Sequence, residues 1–228
     1  MAAHPADHAG PLVFVADVEA PELAPDDLHH LQRVLRLRPG APLTVGDGQG
    51  RWRPARFAEA PEPTGPVERE AEPNPGLAVG FALVKGDKPE LVVQKLTELG
   101  IDRILPFRAE RSVVRWDPAR AAKAVARLRQ VARAAAAQSH RSWLPEVGEV
   151  VDLAELLAVV GPAAAVADRG GAPIGLHHTT VLVGPEGGWA GGEVPEGAPR
   201  VALGPHVLRA ETAAIVAGAI LVDRHRGG

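Results

Sequence analysis

Two short apolar runs late in the chain each end in a glycine-bearing segment. The first is Val183-Gly184-Pro185-Glu186-Gly187-Gly188-Trp189. The second, about twenty residues on, is Leu203-Gly204-Pro205-His206-Val207-Leu208-Arg209-Ala210-Glu211-Thr212, which leads into an apolar helix. Each apolar run reads as a buried strand, and loops at the ends of neighbouring buried strands form the crevice where open α/β sheets bind ligands. Neither loop is a phosphate cradle: Gly-x-x-x-x-Gly-Lys-Ser/Thr and Gly-x-Gly-x-x-Gly are both absent. Nucleoside triphosphates and dinucleotides are therefore disfavoured as occupants. Gly-Pro and Gly-Gly also make plain turns, but the pairing of the loops, with Arg209 and Glu211 in the second, points to a site.

The rest of the chain fits that frame. Apolar strands at 77–84, 101–105, 163–167, 181–183 and 201–203 alternate with helices, the pattern of a mostly parallel sheet. One helix has Pro89 in its first turn and Gly100 past its end. Another starts at Asp117-Pro118 with Asp117 as N-cap and runs to about Ser139. A last helix covers 212–222. The N-terminal third differs. It reads as a strand at 12–15, a helix at 26–37 with Leu28, Leu31, Val34 and Leu35 on one face, and a hairpin around Asp47-Gly48. The stretch 58–76 is rich in Pro and Glu, with a weak strand at 67–70. The expectation is a small β-barrel over 1–72 and an α/β domain over 73–228.

Composition narrows the function. No apolar run approaches the ~20 residues of a membrane helix, and Met1–Gly10 lacks the basic-then-apolar order of a signal peptide. The chain has no cysteine, which excludes thiolate chemistry and disulfides and fits a cytoplasmic setting. Without cysteine or a His-x-x-x-His pattern, no metal site is expected. The net charge is −3, yet ten basic residues lie between Arg103 and Arg141 against two acids, Glu110 and Asp117. A second group gathers Arg33, Arg36, Arg38, Arg51, Arg53 and Arg56. One such cluster is usually a solvated face; two in an acidic chain suggest a local polyanion site.

Seven segments in order then carry a family likeness. They are His30-Leu31-x-Arg33-Val34-Leu35-Arg36 with Pro39-Gly40, Leu83-Val84-Lys85-Gly86-Asp87-Lys88, Gln94-Lys95-x-Thr97-Glu98-Leu99-Gly100, Arg111-Ser112, Gln138-Ser139-His140-Arg141 with Pro145, and the two glycine loops. With them the chain resembles the bacterial 16S ribosomal-RNA uracil-N3 methyltransferases, the small-subunit methyltransferase E family of the SPOUT class. The resemblance implies a PUA-like N-terminal barrel, a C-terminal α/β domain with a trefoil knot, a homodimer, S-adenosylmethionine as cofactor, and a uridine of the 16S decoding region in the assembled small subunit as substrate. Two positions depart from the family pattern. Ala137 stands where a Glu is usual, and Gly10-Pro11-Leu12 lacks an arginine before the first strand.

Given that likeness, residue chemistry suggests roles. Methyl transfer from a sulfonium needs in-line positioning of the nucleophile. Uracil N3 becomes nucleophilic on losing its proton, and the charge spreads to O2 and O4. Arg209 is the candidate to stabilise that charge, its alternative being a salt bridge to Glu211. Glu211 is the candidate proton acceptor, its alternative a carboxylate placed for the helix dipole. The cofactor would lie against Leu182, Gly184, Glu186, Gly187, Gly188, Leu203, Gly204 and Leu208. Glu186 either bonds a ribose hydroxyl or holds its loop, and Trp189 reads first as a packing residue. RNA contacts fall to Arg33, Arg36, Arg111, Gln138 and Arg141, with Gln138 or Arg141 reading a flipped base. Two other readings stay open: a SPOUT enzyme acting on another RNA such as transfer RNA, and a ribosome-binding factor without activity.

Overall fold

In the N-terminal third the hairpin forms where Asp47-Gly48 directs it. Strands β2 (Pro42–Gly46) and β3 (Arg51–Arg56) pair antiparallel from Pro42↔Arg56 to Gly46↔Trp52. Asp47 Oδ1 accepts the N–H groups of Gln49 and Arg51 at 2.7 and 3.1 Å, and Gly48 and Gly50 supply the positive φ angles of the turn. The computed structural model describes residues 4–161 and 164–227. Met1–Ala3, part of the N-terminal segment read above, and Ala163, the expected start of one strand, lie outside the described residues.

Chain packing groups the residues into two units: residues up to Pro73 with Arg133–Leu144, and Asn74–Ala132 with Pro145 onward. In the first unit, β1 (Leu12–Phe14) lies parallel to β2, and β4 (Glu62–Pro63) and β5 (Glu68–Arg69) pair with β3. The expected barrel is thus realised as a small five-stranded sheet, with no pairing that closes β4 onto β1 among the described residues. Both last strands are only two residues long, and Pro61, Pro63 and Pro66 remove ladder donors around them. Val13, Val15, Leu31, Leu43, Val45 and Phe57 form the core of this unit.

The helix expected over 26–37 is shorter and changes pitch. A helix α1 (Pro25–His29) widens at once into a π turn over His30–Val34, with the Leu35 N–H bonded to the His30 carbonyl at 3.0 Å. One extra residue in a turn rotates everything after it by about 100°. Leu31 is therefore buried, whereas Val34 and Leu35, expected on the same face, are 61% and 46% exposed.

The second unit is a seven-stranded parallel sheet among the described residues. Its elements are β6 (Ala78–Ala82), α2 (Lys88–Leu99), β7 (Arg103–Arg108), α3 (Pro118–Gln138), β8 (Glu146–Val147), β9 (Val151–Asp152), α4 (Leu153–Val160), β10 (Ala165–Pro173), β11 (Thr180–Val183), β12 (Arg200–Ala202) and α5 (Ala210–Arg226). From Arg133 on, α3 belongs to the first unit. The strand order is β12-β10-β11-β6-β7-β8, with β9 also on β7.

Side chains alternate across the sheet and both faces are covered, as all-parallel sheets require. Val79, Phe81, Val181 and Val183 face α2, α3 and α5 through Leu96, Leu128 and Ala214. Ala78, Ala82 and Leu182 face α4 through Leu153 and Leu156. Helix α2 ends as expected: Gly100 sits in the left-handed region at φ 97° and closes the helix. Asp117 Oδ1 accepts the Arg120 N–H at 2.9 Å, the cap expected for α3. The short α4 was not anticipated, although Asp152 and Glu155 form a capping box ahead of its apolar run.

Candidate functional site

The carboxyl ends of β10, β11 and β12 border a cavity of about 520 Å³ in the second unit. The two glycine loops supply most of its wall, but their strands are not neighbours as expected: β10 runs between β11 and β12. A third wall therefore comes from β10 itself. Ala167 and Ala172 both register on Val201, so residues 168–171 loop out of the ladder. Asp168 and Arg169 line the cavity from this excursion. Gly171 permits it, because a Cβ there would meet the Val201 backbone at 2.5 Å.

Gly184, Glu186, Gly188, Leu203, Gly204 and Leu208 line the cavity, together with Ala210 and Ala213 at the head of α5. Two expected members do not. Leu182 is fully buried among Ala78, Phe107 and Leu156, in the layer behind. Gly187 turns instead toward Arg111, whose Nη1 donates to its carbonyl at 3.1 Å. Trp189 packs its loop and also lines the cavity. Its ring lies nearly parallel to that of Phe107, at 4° and 6.2 Å, and its Nε1 donates to the Ala167 carbonyl at 3.1 Å. A Cβ on Gly184 would touch that ring at 2.9 Å, so only glycine fits beneath it.

The charged groups form two sets. Arg200 pairs with Asp168 at the cavity wall and holds the Asp168 carboxyl below its ordinary range. The other set centres on Lys88, the first residue of α2. Its Nζ lies 3.1 Å from Glu211 Oε1 and 3.3 Å from Glu186 Oε1. Those two carboxylates raise the Lys88 ammonium above its ordinary value, Glu211 first. Glu211 is buried, which opposes its charge, but its own backbone N–H, Lys88 and Arg209 favour the anion and leave the carboxyl below its usual range. Its Oε2 is buried with no hydrogen-bond partner among the described residues. The ion pair at Glu211 is thus with Lys88. Arg209, the N-cap of α5, is exposed and acts on Glu211 only through a smaller electrostatic contribution.

The arginine clusters divide similarly. Arg103, Arg108, Arg127 and Arg129 pair with Glu146, Asp152, Glu90 and Glu149. Arg133 pairs with Asp27, and Arg51 and Arg53 share Glu19. These pairs are largely solvent-facing ties, and they engage seven of the sixteen basic residues in the two clusters. Arg33, Arg36 and Arg38 are exposed without an acidic partner among the described residues, as are Arg120 and Lys123. Arg36 sits in the left-handed region at φ 53°. Gln138 is exposed at the end of α3 and Arg141 is half-buried; both belong to the first unit. Ala137 packs with Leu12, Phe14 and Ala136, and the carboxylate that engages the loop beyond it is that of Glu70, which accepts from the Ser142 hydroxyl.

Lys88, Asp168 and Arg200 were not singled out from the sequence. Lys88 closes the segment 83–88, and Gly170-Gly171 lies past the strand expected over 163–167; neither signal names a partner. Among the described residues no group of His, Cys, Asp or Glu side chains is placed to hold a metal ion. No helix among them is long and apolar enough to cross a membrane.

A parallel sheet with glycine loops around a cavity at its carboxyl edge, joined to a small N-terminal sheet, is the architecture of an RNA methyltransferase. Residues 71–222 match the family model of the RNA methyltransferase domain, and residues 23–63 that of the RNA methyltransferase PUA domain. The ribosomal RNA small subunit methyltransferase E of Mycobacterium tuberculosis is 36% identical over 217 residues, covering 84% of this chain and 82% of that protein. The chain belongs to the ribosomal RNA small subunit methyltransferase E family. The crystal structure of the Neisseria gonorrhoeae member bound to S-adenosylmethionine superposes with a TM-score of 0.77 at 28% identity, covering 94% of this chain and 98% of that one. A putative methyltransferase of Legionella pneumophila in complex with the same cofactor gives 0.76 at 26% identity, covering 94% and 97%.

Proposed function

We propose that this chain methylates N3 of a uridine in the decoding region of 16S RNA, using S-adenosylmethionine, on the assembled small subunit in the cytoplasm. The observation that carries the reading is the cavity at the ends of β10, β11 and β12 with the head of α5, and so Arg209 and Glu211, beside it. Its size lies within the range of small-molecule sites, roughly 300–1,000 Å³. Gly184, Gly188 and Gly204 let backbone approach a ligand closely, while Val183, Leu203, Leu208 and Trp189 offer apolar walls for a purine ring. When bound, S-adenosylmethionine supplies a methyl group on a positively charged sulfur.

The chain's own residues do the rest. Glu211, next to Ala210 of the cavity wall, is the carboxylate that accepts the N3 proton; Lys88 occupies its Oε1, and its Oε2 is buried without a partner among the described residues. Arg209 stabilises the charge that then spreads over O2 and O4 of the base. Glu186, Gly187 and Leu182 shape the first loop, two of them from behind the wall. RNA contacts fall to Arg33, Arg36, Arg111, Gln138 and Arg141. A knotted path through the glycine loops, domains at 1–72 and 73–228, and a homodimer belong to the same reading.

The test uses small subunits purified from cells lacking this protein, incubated with it and with labelled S-adenosylmethionine. Label on N3-methyluridine of 16S RNA is the expected result. Label on another nucleoside, or none, overturns the assignment of substrate.

A further inference from the structure

We propose that Lys88 is a positioning residue of the methyl-transfer site, its ammonium tying the first glycine loop at Glu186 to the head of α5 at Glu211 and leaving Glu211 Oε2 as the free oxygen. The inference rests on the methyltransferase reading above and adds a residue to it. Lys88 opens α2, where the helix dipole is positive and disfavours a cation. Two carboxylates from distant parts of the chain offset that cost.

A solvent-facing ion pair usually contributes little. This cluster differs in two respects. Glu211 is buried, so its charge depends on the few groups that face it. And one cation is shared, so the Glu186 and Glu211 contacts are not independent. Of the charged groups on α2, Glu90 is engaged by Arg127 and Lys95 by Glu98, which leaves Lys88 to meet Glu211. From the first loop only Glu186 joins the cluster, and from α5 itself Arg209 acts at longer range. Strands β6 and β11, packed on α5, present apolar side chains and Thr180. Occupying Glu211 Oε1 with Lys88 fixes which oxygen faces away from the lysine. The same nitrogen holds the loop that lines the cavity at Glu186.

The test combines calorimetric binding of S-adenosylmethionine with a carbon-13 titration of glutamate carboxyls, the Glu211 signal being assigned by its loss in Glu211→Gln. Variants Lys88→Met, Lys88→Arg, Glu186→Gln and the double variant Lys88→Met/Glu186→Gln are compared, each checked by thermal unfolding. Lys88→Met and Glu186→Gln are each expected to weaken cofactor binding about tenfold, and the double variant no more than about twofold beyond either, because both remove one shared tie. Lys88→Arg is expected to keep binding within about threefold, since the charge remains. The Glu211 midpoint should rise in Lys88→Met and not in Glu186→Gln. Additive losses, wild-type binding in Lys88→Met, or an unmoved Glu211 midpoint would each overturn the proposal. If Lys88→Met does not fold, Glu186→Gln and Lys88→Arg decide it: unchanged affinity in the first refutes the tie. A wild-type protein that binds no S-adenosylmethionine would refute the cofactor reading instead, and the titration would still judge the tie.

Discussion

Adding a single methyl group at Gly184 tests whether the first loop and the tryptophan beneath it are one rigid unit. In Gly184→Ala the new Cβ would lie 2.9 Å from Trp189 Cε2, 3.0 Å from Cζ2 and 3.1 Å from Cδ2. Ordinary carbon contacts begin near 3.5 Å, so ring and loop must separate by about half an ångström. The ring cannot yield freely: it faces fully buried Phe107 on one side and is held by its hydrogen bond to Ala167. Backbone strain does not enter, because Gly184 is not in the left-handed region. Overpacking of this kind costs about 1–3 kcal/mol. If the loop moves, the cost appears in cofactor binding as an increase in Kd of about five- to 150-fold. If the ring moves, it appears as a Tm lower by about 2–12 °C for a chain of this size. Calorimetric titration with S-adenosylmethionine and thermal unfolding, run on the same preparation, read both. Wild-type Kd together with wild-type Tm would refute the packing argument.

Other substitutions probe the remaining parts. Arg209→Ala should lower the methylation rate about 10²–10³-fold, the size of a lost charge-stabilising donor, with cofactor affinity nearly unchanged; a wild-type rate in single-turnover assays removes that role. Arg36→Gly should relieve the left-handed φ of 53° and raise stability by about 1 kcal/mol, while removing the phosphate contact proposed for it and so reducing the salt slope of RNA binding by about one; Arg36→Ala should share the salt effect without the gain, as filter binding across salt concentrations and denaturant melts would show. The Glu211 carboxyl is held low, so its charge stabilises the fold above the ordinary glutamate value of about 4.3 and that contribution is lost as pH falls through the lower folded value. Methylation should therefore stay flat on its acid side until below that value, and an inflection near neutrality that disappears in Glu211→Gln would contradict this assignment of the base.

Local physics made much of the architecture readable. Pro89 and Gly100 bracketed α2, Asp117 capped α3, and Asp47-Gly48 placed the first hairpin, because each acts through its nearest neighbours. The π turn at His30–Val34 escaped, since the apolar spacing of Leu28, Leu31, Val34 and Leu35 suits an ordinary helix and only the structure shows the Leu35 N–H skipping to His30. The site was half legible for the same reason. Glycines marked both loops, but Lys88 finds its partners about a hundred residues away, and Asp168 finds Arg200 on the adjacent strand β12, whose place beside β10 no pattern discloses. Arginines in the sequence also read as more available than they are, because Glu146, Asp152, Glu90 and Glu149 lie beside them only after folding.

The order of the parallel sheet also governs when this protein can acquire its shape during synthesis. Ala78 of β6 waits for Thr180 of β11 as its neighbour, and β10 completes its pairing only with β12. A ribosome that has made the first two thirds of the chain has therefore produced β6 and β7 with one side of their sheet still open. Sheets closed by such remote partners form slowly, and unfinished edges recruit other chains. Pausing or truncation between residues 110 and 180 should accordingly leave a nascent chain that depends on chaperones.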